Sequence, residues 1–160
     1  MTPSLRPGSA EVSLVDDTSF RIVRTFDTSA ERLWEVWTQP SYVRRWWPSE
    51  GQQLDECTID LRVGGAWRYA IDDTPHGPQA WRGTFLEIEA PHRIVSTELY
   101  EPLPDAEATN TFTLTEDAEV VTLAVLVRHR SREARDGHLQ SGMEAGLQLA
   151  LDRVEQLLRV

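Results

Sequence analysis

The stretch Glu133–Arg159, EARDGHLQSGMEAGLQLALDRVEQLLR, decides the fold that we predict for this chain. Its apolar residues recur at steps of three and four, which places them on one face of an α-helix: Leu139, Met143, Leu147, Ala150, Leu151, Val154, Leu157 and Leu158. No proline interrupts the stretch. We therefore expect a largely helical segment, about 35–40 Å long at a rise of roughly 1.5 Å per residue, which would cover one face of a β-sheet. It would be one continuous helix or would begin with a short helical turn at Glu133–Asp136 before Gly137.

Two glycines of this stretch, Gly142 and Gly146, lie one helical turn apart at the edge of the apolar stripe. Each costs about 1 kcal/mol of helix propensity relative to alanine. Such a cost suggests that a sheet or a ligand packs closely against them. Close helix–sheet packing predicts that leucine at position 146 would destabilise the fold, whereas a neighbouring empty cavity predicts that leucine would be tolerated and would exclude the ligand.

Length, composition and charge indicate one globular domain. A chain of 160 residues with 40% hydrophobic residues and six tryptophans can bury a core. We predict a single domain over residues 11–160, preceded by a flexible Pro-, Gly- and Ser-containing tail over residues 1–10. The formal net charge of −10 argues against nucleic acid or an anionic membrane surface as a partner.

The same composition bears on location and on cofactors. No apolar run approaches the roughly 20 residues of a membrane span, and no signal peptide is visible, so we expect a cytoplasmic protein without membrane insertion. Cys57 is the only cysteine, which excludes an intramolecular disulfide and a cysteine metal cluster. The histidines show no metal-ligand spacing, so we expect neither a metal nor a cofactor. A monomer and a homodimer are both compatible with the sequence.

The N-terminal third predicts one strand followed by two short helices. Apolar residues alternate over Phe20–Phe26, which is typical of a strand. Thr28–Glu31 has the spacing of a capping box, with Thr28 as the cap of the first helix. Ser41 can cap a second helix, which Pro48 would end.

From Cys57 to His129 the pattern has a period of two, which predicts about six antiparallel strands with short connections. Gly83 lies within one of them and suggests a β-bulge. Together with the first strand, these elements predict an α+β fold. It is a six- to seven-stranded curved antiparallel sheet wrapped around a long C-terminal helix, with two short helices after the first strand.

Several of these segments together resemble one family. They are Thr28–Trp37, PSYVRRWWP at 40–48, DLRVGGAWR at 60–68, RGTF at 82–85, PHRIV at 91–95 and SGMEAG at 141–146. In this order they resemble bacterial proteins named after the activator of the heat-shock chaperone ATPase. That family is part of the START-like, birch-pollen-allergen-like helix-grip superfamily (SRPBCC). The resemblance covers residues 20–159 and implies a helix-grip fold with a pocket between the sheet and the last helix.

The residues that we expect to bind a ligand are mostly aromatic or apolar and lie on the strands, the short helices and the last helix. They are Trp67, Tyr69, Trp81, Phe85, Met143, Leu147, Trp46, Trp47 and His129. The aromatic residues could equally be ordinary core residues. His129 continues the apolar face of its strand and could carry a proton inside the pocket, but its place at the strand end favours exposure at the edge of the sheet.

Three functions remain open. The first is binding of a small hydrophobic or amphipathic molecule without catalysis, which we prefer because the chain shows no nucleophile motif, phosphate loop or metal constellation. The second is a polyketide cyclase- or dehydratase-like enzyme, which would be favoured if His129 or Glu98 lay in the cavity beside a second polar side chain. The third is a chaperone-cofactor type of protein-interaction module, which would have a nearly filled cavity and an exposed apolar patch. We assign no role to Glu98 from the sequence.

Overall fold

The computed structural model describes residues 9–159, which form eight strands and four helices. The strands are β1 (Glu11–Leu14), β2 (Ser19–Phe26), β3 (Glu56–Ile59), β4 (Ala66–Ile71), β5 (Gln79–Glu89), β6 (Arg93–Tyr100), β7 (Ala108–Asp117) and β8 (Val120–Arg128). The helices are α1 (Ala30–Thr38) and α2 (Pro40–Trp46), which follow β2, and α3 (Arg132–Leu139) and α4 (Met143–Leu158), which follow β8.

All eight strands form one antiparallel sheet in the order β1-β2-β8-β7-β6-β5-β4-β3. The predicted α+β helix-grip class is thereby confirmed. The sheet has one strand more than the six to seven predicted, because Glu11–Leu14 pairs with β2 as an edge strand. Its four residues contain only Val12 and Leu14 as apolar residues, which is too short a pattern to identify from the sequence.

The two faces of the sheet differ in chemistry. The inner face carries the buried apolar residues of successive paired strands, including Phe20, Ile22, Phe26, Val121, Leu123, Val127, Phe112, Leu114 and Ile94. The outer face carries threonines and charged residues such as Thr25, Thr111, Thr113, Arg82 and Arg68. The helices therefore pack on the apolar inner face of the sheet. Helix α4 packs beside α1 and α2.

The two short helices begin at other residues than predicted. Ser29, not Thr28, caps α1, since its hydroxyl accepts from the Arg32 backbone N–H at 3.2 Å. The Thr28 backbone N–H instead donates to the carbonyl of Phe26. Helix α2 begins at Pro40, so Ser41 lies inside it and does not cap it. Proline suits this first position because its fixed φ is helical and the first N–H of a helix lacks a partner.

The C-terminal region is not the single helix that the apolar period predicts. It breaks between α3 and α4 at Gln140–Gly142, where Gly142 has a φ of +84°. A side chain at this left-handed position would be strained, so the glycine permits a change of direction that a continuous helix cannot make. Helix α4 has 16 residues and is therefore about 24 Å long at 1.5 Å per residue.

The prediction of close packing at both glycines is wrong, because a Cβ atom added at Gly142 or Gly146 would meet nothing within 4 Å. Gly146 lies inside α4 and is exposed. Gly146→Ala is therefore expected to raise the free energy of unfolding by about 1 kcal/mol in urea titrations. Gly142→Ala is the matched control and is expected to lower it, because alanine is strained at positive φ. Stabilisation by both substitutions would contradict the assignment of the break.

The β-bulge predicted at Gly83 is not found there. The irregular register of β5 against β6 lies between Phe85 and Glu87. A Cβ atom at Gly83 would lie 1.8 Å from the Thr97 carbonyl oxygen and 2.5 Å from the indole Nε1 of Trp67. The missing side chain therefore lets the Trp67 ring lie against the backbone of β5.

The predicted flexible tail falls mostly outside the described residues, which begin at Ser9. Ala10 is buried, and its backbone N–H and carbonyl form hydrogen bonds of 2.9 and 2.7 Å with the side-chain amide of Gln148 in α4. Across residues 9–159, no helix is long and apolar enough to cross a membrane.

Candidate functional site

Two voids lie against the inner face of the sheet. The larger, which we call the cleft, has a volume of about 680 Å³ and lies between strands β5–β7, His129 beyond β8, α3 and the first residue of α4. The smaller, which we call the inner cavity, has a volume of about 130 Å³ and lies between the sheet and the pair α1–α2. The cleft falls in the range of about 300–1,000 Å³ that is usual for small-molecule sites.

A chain of aromatic rings runs from the inner cavity to the cleft. The ring centroids of Trp67 and Tyr69 are 4.8 Å apart, and those of Tyr69 and Trp47 are 5.2 Å apart. Trp47 then meets Trp81 edge-to-face at 4.5 Å, and Trp81 lies 5.5 Å from Tyr100. Trp47 lines the inner cavity and Trp81 lines the cleft, so their contact forms part of the wall between the two voids.

Trp47 is positioned by the last helix. The backbone carbonyls of its two neighbours, Trp46 and Pro48, both accept hydrogen bonds from Nη1 of Arg153 in α4, at 3.0 and 2.7 Å. The indole N–H of Trp46 donates to the Val36 carbonyl at 2.9 Å, which fixes α2 on α1. The sequence PSYVRRWWP thus folds into a bent segment that presents Trp47 to the sheet.

Glu98, on β6, is the residue that borders both voids. Its carboxylate Oε1 accepts a hydrogen bond of 2.7 Å from the side-chain amide of Asn110 on β7. Burial raises the pKa of Glu98 above its usual value, against the lowering effect of that hydrogen bond. Glu98 also contributes to raising the pKa of Tyr69, whose main cause is burial. Burial therefore disfavours the ionised form of this carboxyl group, and a cationic partner beside it would stabilise that form.

A pair of histidines forms the opposite end of the cleft. Nε2 of His129 and Nδ1 of His138 are 2.9 Å apart, and the Phe20 ring packs against both imidazoles. His129 is buried, with 8% of its surface exposed, and its Nδ1 has no partner among the described residues. Burial, helped by His138, lowers the pKa of His129 to about 4, and burial lowers that of His138 as well. Both rings are therefore neutral at pH 7.

The structure divides the predicted ligand-binding residues between the two voids. Those that line the inner cavity are Trp46, Trp47, Trp67, Tyr69 and Phe85. Those that line the cleft are Trp81, Met143 and His129. Leu147 is partly buried against the core and lines neither void. His129 does not lie at a solvent-exposed edge, as its place at the strand end suggested, because α3 returns over it.

From the sequence, Glu98 entered only as a condition on the enzyme hypothesis and had no assigned role, and two further polar residues of the site, Asn110 and His138, were missed. Glu98 shares its strand face with the buried Ile94, and Asn110 shares its face with Phe112. A carboxyl or amide side chain on an otherwise apolar face was a usable signal for both. His138 gave no such signal, since its contact with His129 arises where α3 turns back over the end of β8.

Charged residues outside the two voids form surface ion pairs. Arg68 faces outward and pairs with Glu56 and Glu101. Among the described residues, no cluster of three or more His, Cys, Asp or Glu side chains could hold a metal ion.

Comparison with known families gives one match that spans most of the chain. The sequence profile described as "Activator of Hsp90 ATPase homolog 1-like protein" matches residues 27–159. No protein with a curated description matches the chain significantly.

Solved structures of similar fold are numerous. A protein from Rhodobacter sphaeroides is 24% identical, with a TM-score of 0.88 over 94% of this chain and 98% of its own. A protein from Mycobacterium smegmatis is 22% identical, with a TM-score of 0.82 over 94% and 96% of the two chains. DynU16, a protein in the dynemicin biosynthetic locus, is 20% identical, with a TM-score of 0.68 over 91% of this chain and 48% of its own. At these identities the similarity establishes the fold.

Proposed function

This chain belongs to the family of Activator of Hsp90 ATPase homolog 1-like proteins, and on that premise we propose that it binds a small hydrophobic molecule in the cytoplasm. The binding site is the cleft between the sheet and the C-terminal helices. The observation that carries the proposal is the cleft itself, with a volume of about 680 Å³ and a lining in which the apolar side chains of Trp81, Leu103 and Met143 lie beside polar groups that could orient a ligand.

The shape of the molecule favours a ligand over a protein partner. A protein-interaction module would have a nearly filled interior and one contiguous apolar patch. Here the interior retains the cleft, which a ligand can fill. The net charge of −10 also supports a small molecule over a nucleic acid.

Binding of a neutral aromatic probe, 2-(1-naphthyl)ethanol, tests the proposal. The Trp81→Ala protein is expected to bind the probe about tenfold more weakly in isothermal titration calorimetry, because Trp81 supplies the apolar wall of the cleft. Arg21→Ala is the control, since Arg21 is exposed on the outer face of β2 and lines neither void. Absence of any measurable binding by the wild-type protein would refute the proposal, and native mass spectrometry can search in parallel for a co-purifying ligand.

Acid–base catalysis on the bound molecule is the second candidate, of the cyclase or dehydratase type. Its specific support is that Glu98 lies beside Asn110, and His129 beside His138, in one site. We rank it second because His129 cannot exchange a proton with a ligand directly: its Nε2 contacts His138 and its Nδ1 is buried. Such catalysis would be seen by NMR as incorporation of deuterium from D₂O at the methyl group of 2-acetonaphthone. No incorporation with the wild-type protein, or undiminished incorporation with the Glu98→Gln variant, would count against acid–base catalysis by Glu98.

A further inference from the structure

We propose that the molecule bound in the cleft is a hydrophobic amine, whose ammonium group Glu98 binds as its counter-ion. The inference rests on the proposed function and specifies the chemical class of the ligand. It follows from the charges in the site, from the position of Glu98 and from the aromatic rings beside it.

The charges that line the two voids have one sign. The charged residues in the lining are Glu98 and Glu133, and none of the arginines within residues 9–159 is part of it. The basic side chains present are His129 and His138, which are neutral at pH 7 because burial lowers their pKa values. A carboxylate or phosphate ligand would therefore be desolvated beside Glu98 without a cationic partner, whereas an ammonium group would gain one.

Glu98 differs in its partners from Glu56 and Glu101, two other partly buried carboxylates. Glu56 and Glu101 each form a salt bridge with Arg68. Within residues 9–159, no arginine lies within ion-pair distance of Glu98, whose hydrogen-bond partner is the neutral amide of Asn110. A carboxyl group placed between two voids without a cation loses solvation and gains no ion pair. A bound ammonium group would supply the missing charge and hydrogen-bond donors.

The rings around Glu98 suit the same ligand. Trp81 and Tyr100 line the cleft together with Glu98, and their centroids are 5.5 Å apart. The negative face of an aromatic ring attracts a cation, most strongly for tryptophan and where water is excluded. The remaining lining includes Leu103 and Met143, which can contact the apolar body of the amine. One end of the cleft is therefore suited to the cation and the rest to a hydrocarbon or aromatic body.

Three probes with the same aromatic body test the inference at pH 7: 2-(1-naphthyl)ethylamine, 2-(1-naphthyl)ethanol and 1-naphthylacetic acid. The wild-type protein is expected to bind the amine at least about tenfold more tightly than the alcohol, and the acid most weakly. Glu98→Gln preserves the size of the side chain and is expected to bring the amine to within about twofold of the alcohol. Glu89→Gln removes one negative charge from an exposed position outside the cleft and is expected to leave the tenfold ratio unchanged.

The outcomes separate the inference from the proposed function. Tight binding of the alcohol with no preference for the amine would overturn the inference and leave the proposed function intact. The inference would likewise be overturned if the preference for the amine were unchanged in Glu98→Gln, or if it were lost in Glu89→Gln. If none of the three probes binds, both fail. If the Glu98→Gln variant does not fold, calorimetry of the wild-type protein at pH 5.5, in two buffers of different ionisation enthalpy, replaces it. Release of protons when the amine binds, but not when the alcohol binds, supports the inference. The same number of protons exchanged with both probes overturns it.

Discussion

Arg24→Ala is expected to lower the free energy of unfolding by about 3–5 kcal/mol, the usual cost of breaking a buried ion pair. Arg24 lies on the inner face of β2, and its side chain is only 1% exposed. Its Nη1 pairs with Asp152 at 2.9 Å and its Nη2 with Glu155 at 3.0 Å, both on α4. Its guanidinium carbon also lies 4.9 Å from the centre of the Phe26 ring. Alanine would remove both ion pairs and leave a void beneath the helix.

Two matched variants make this expectation specific. Arg21→Ala on the same strand removes an exposed arginine and is expected to change stability by no more than about 0.5 kcal/mol. Arg24→Met retains much of the apolar stem and is expected to be less harmful than alanine, because apolar replacements of buried ion pairs are often tolerated. Urea unfolding of the three variants measures the differences. A loss below about 1 kcal/mol for Arg24→Ala would show that this arginine does not hold α4 on the sheet.

Acidification is expected to destabilise the protein through the histidine pair. The folded-state pKa of His129 is about 4, below its ordinary value of 6.5. The unfolded chain therefore binds more protons between these values, and stability falls as pH decreases from 6.5 towards 4. For His129 the full loss is about 3 kcal/mol, at 1.36 kcal/mol per pKa unit. The lowered pKa of His138 acts in the same direction.

His129→Phe tests this assignment, since phenylalanine fills the space beside Phe20 and cannot take up a proton. The difference in unfolding free energy between variant and wild type should grow in favour of the variant as pH falls from 7 to 4.5, as measured by urea titrations. His76→Gln is the control, because His76 is exposed in the β4–β5 connection. Parallel pH profiles for His129→Phe and the wild type would rule out the pair as the acid-sensitive element.

The sequence predicts those parts of the fold that depend on residue periodicity. Alternation in β4 places Trp67 and Tyr69 on the face opposite Arg68, and the structure has them there. The proline at position 40 predicts the boundary between α1 and α2, although the cap of α1 lies one residue after the predicted one and the cap of α2 lies two residues before it. These features are local, since each depends on residues within one element.

The parts that could not be predicted depend on contacts between distant residues. A glycine inside an apolar helical period does not reveal whether its φ is positive, so the sequence could not indicate that Gly142 ends one helix and precedes another. The burial of His129 follows from the turn between β8 and α3, which brings Nδ1 of His138 to within 2.9 Å of the Nε2 atom of His129. The site is therefore partly visible from the sequence, as a set of inward aromatic residues, while its polar end is not.

The break at Gly142 also divides the C-terminal region into units of different local stability, in the sense measured by native-state hydrogen exchange. Helix α4 buries Leu151, Val154 and Leu157 in the core, whereas the one fully buried residue of α3 is Arg135. Amide protons of α3 are accordingly expected to exchange through openings of lower free energy than those of α4. Each such opening uncovers the cleft while the core remains folded. If the proposed ligand reaches the cleft through such openings, we expect its rate of entry to follow the local opening rate of the eight-residue helix α3 and not the rate of global unfolding.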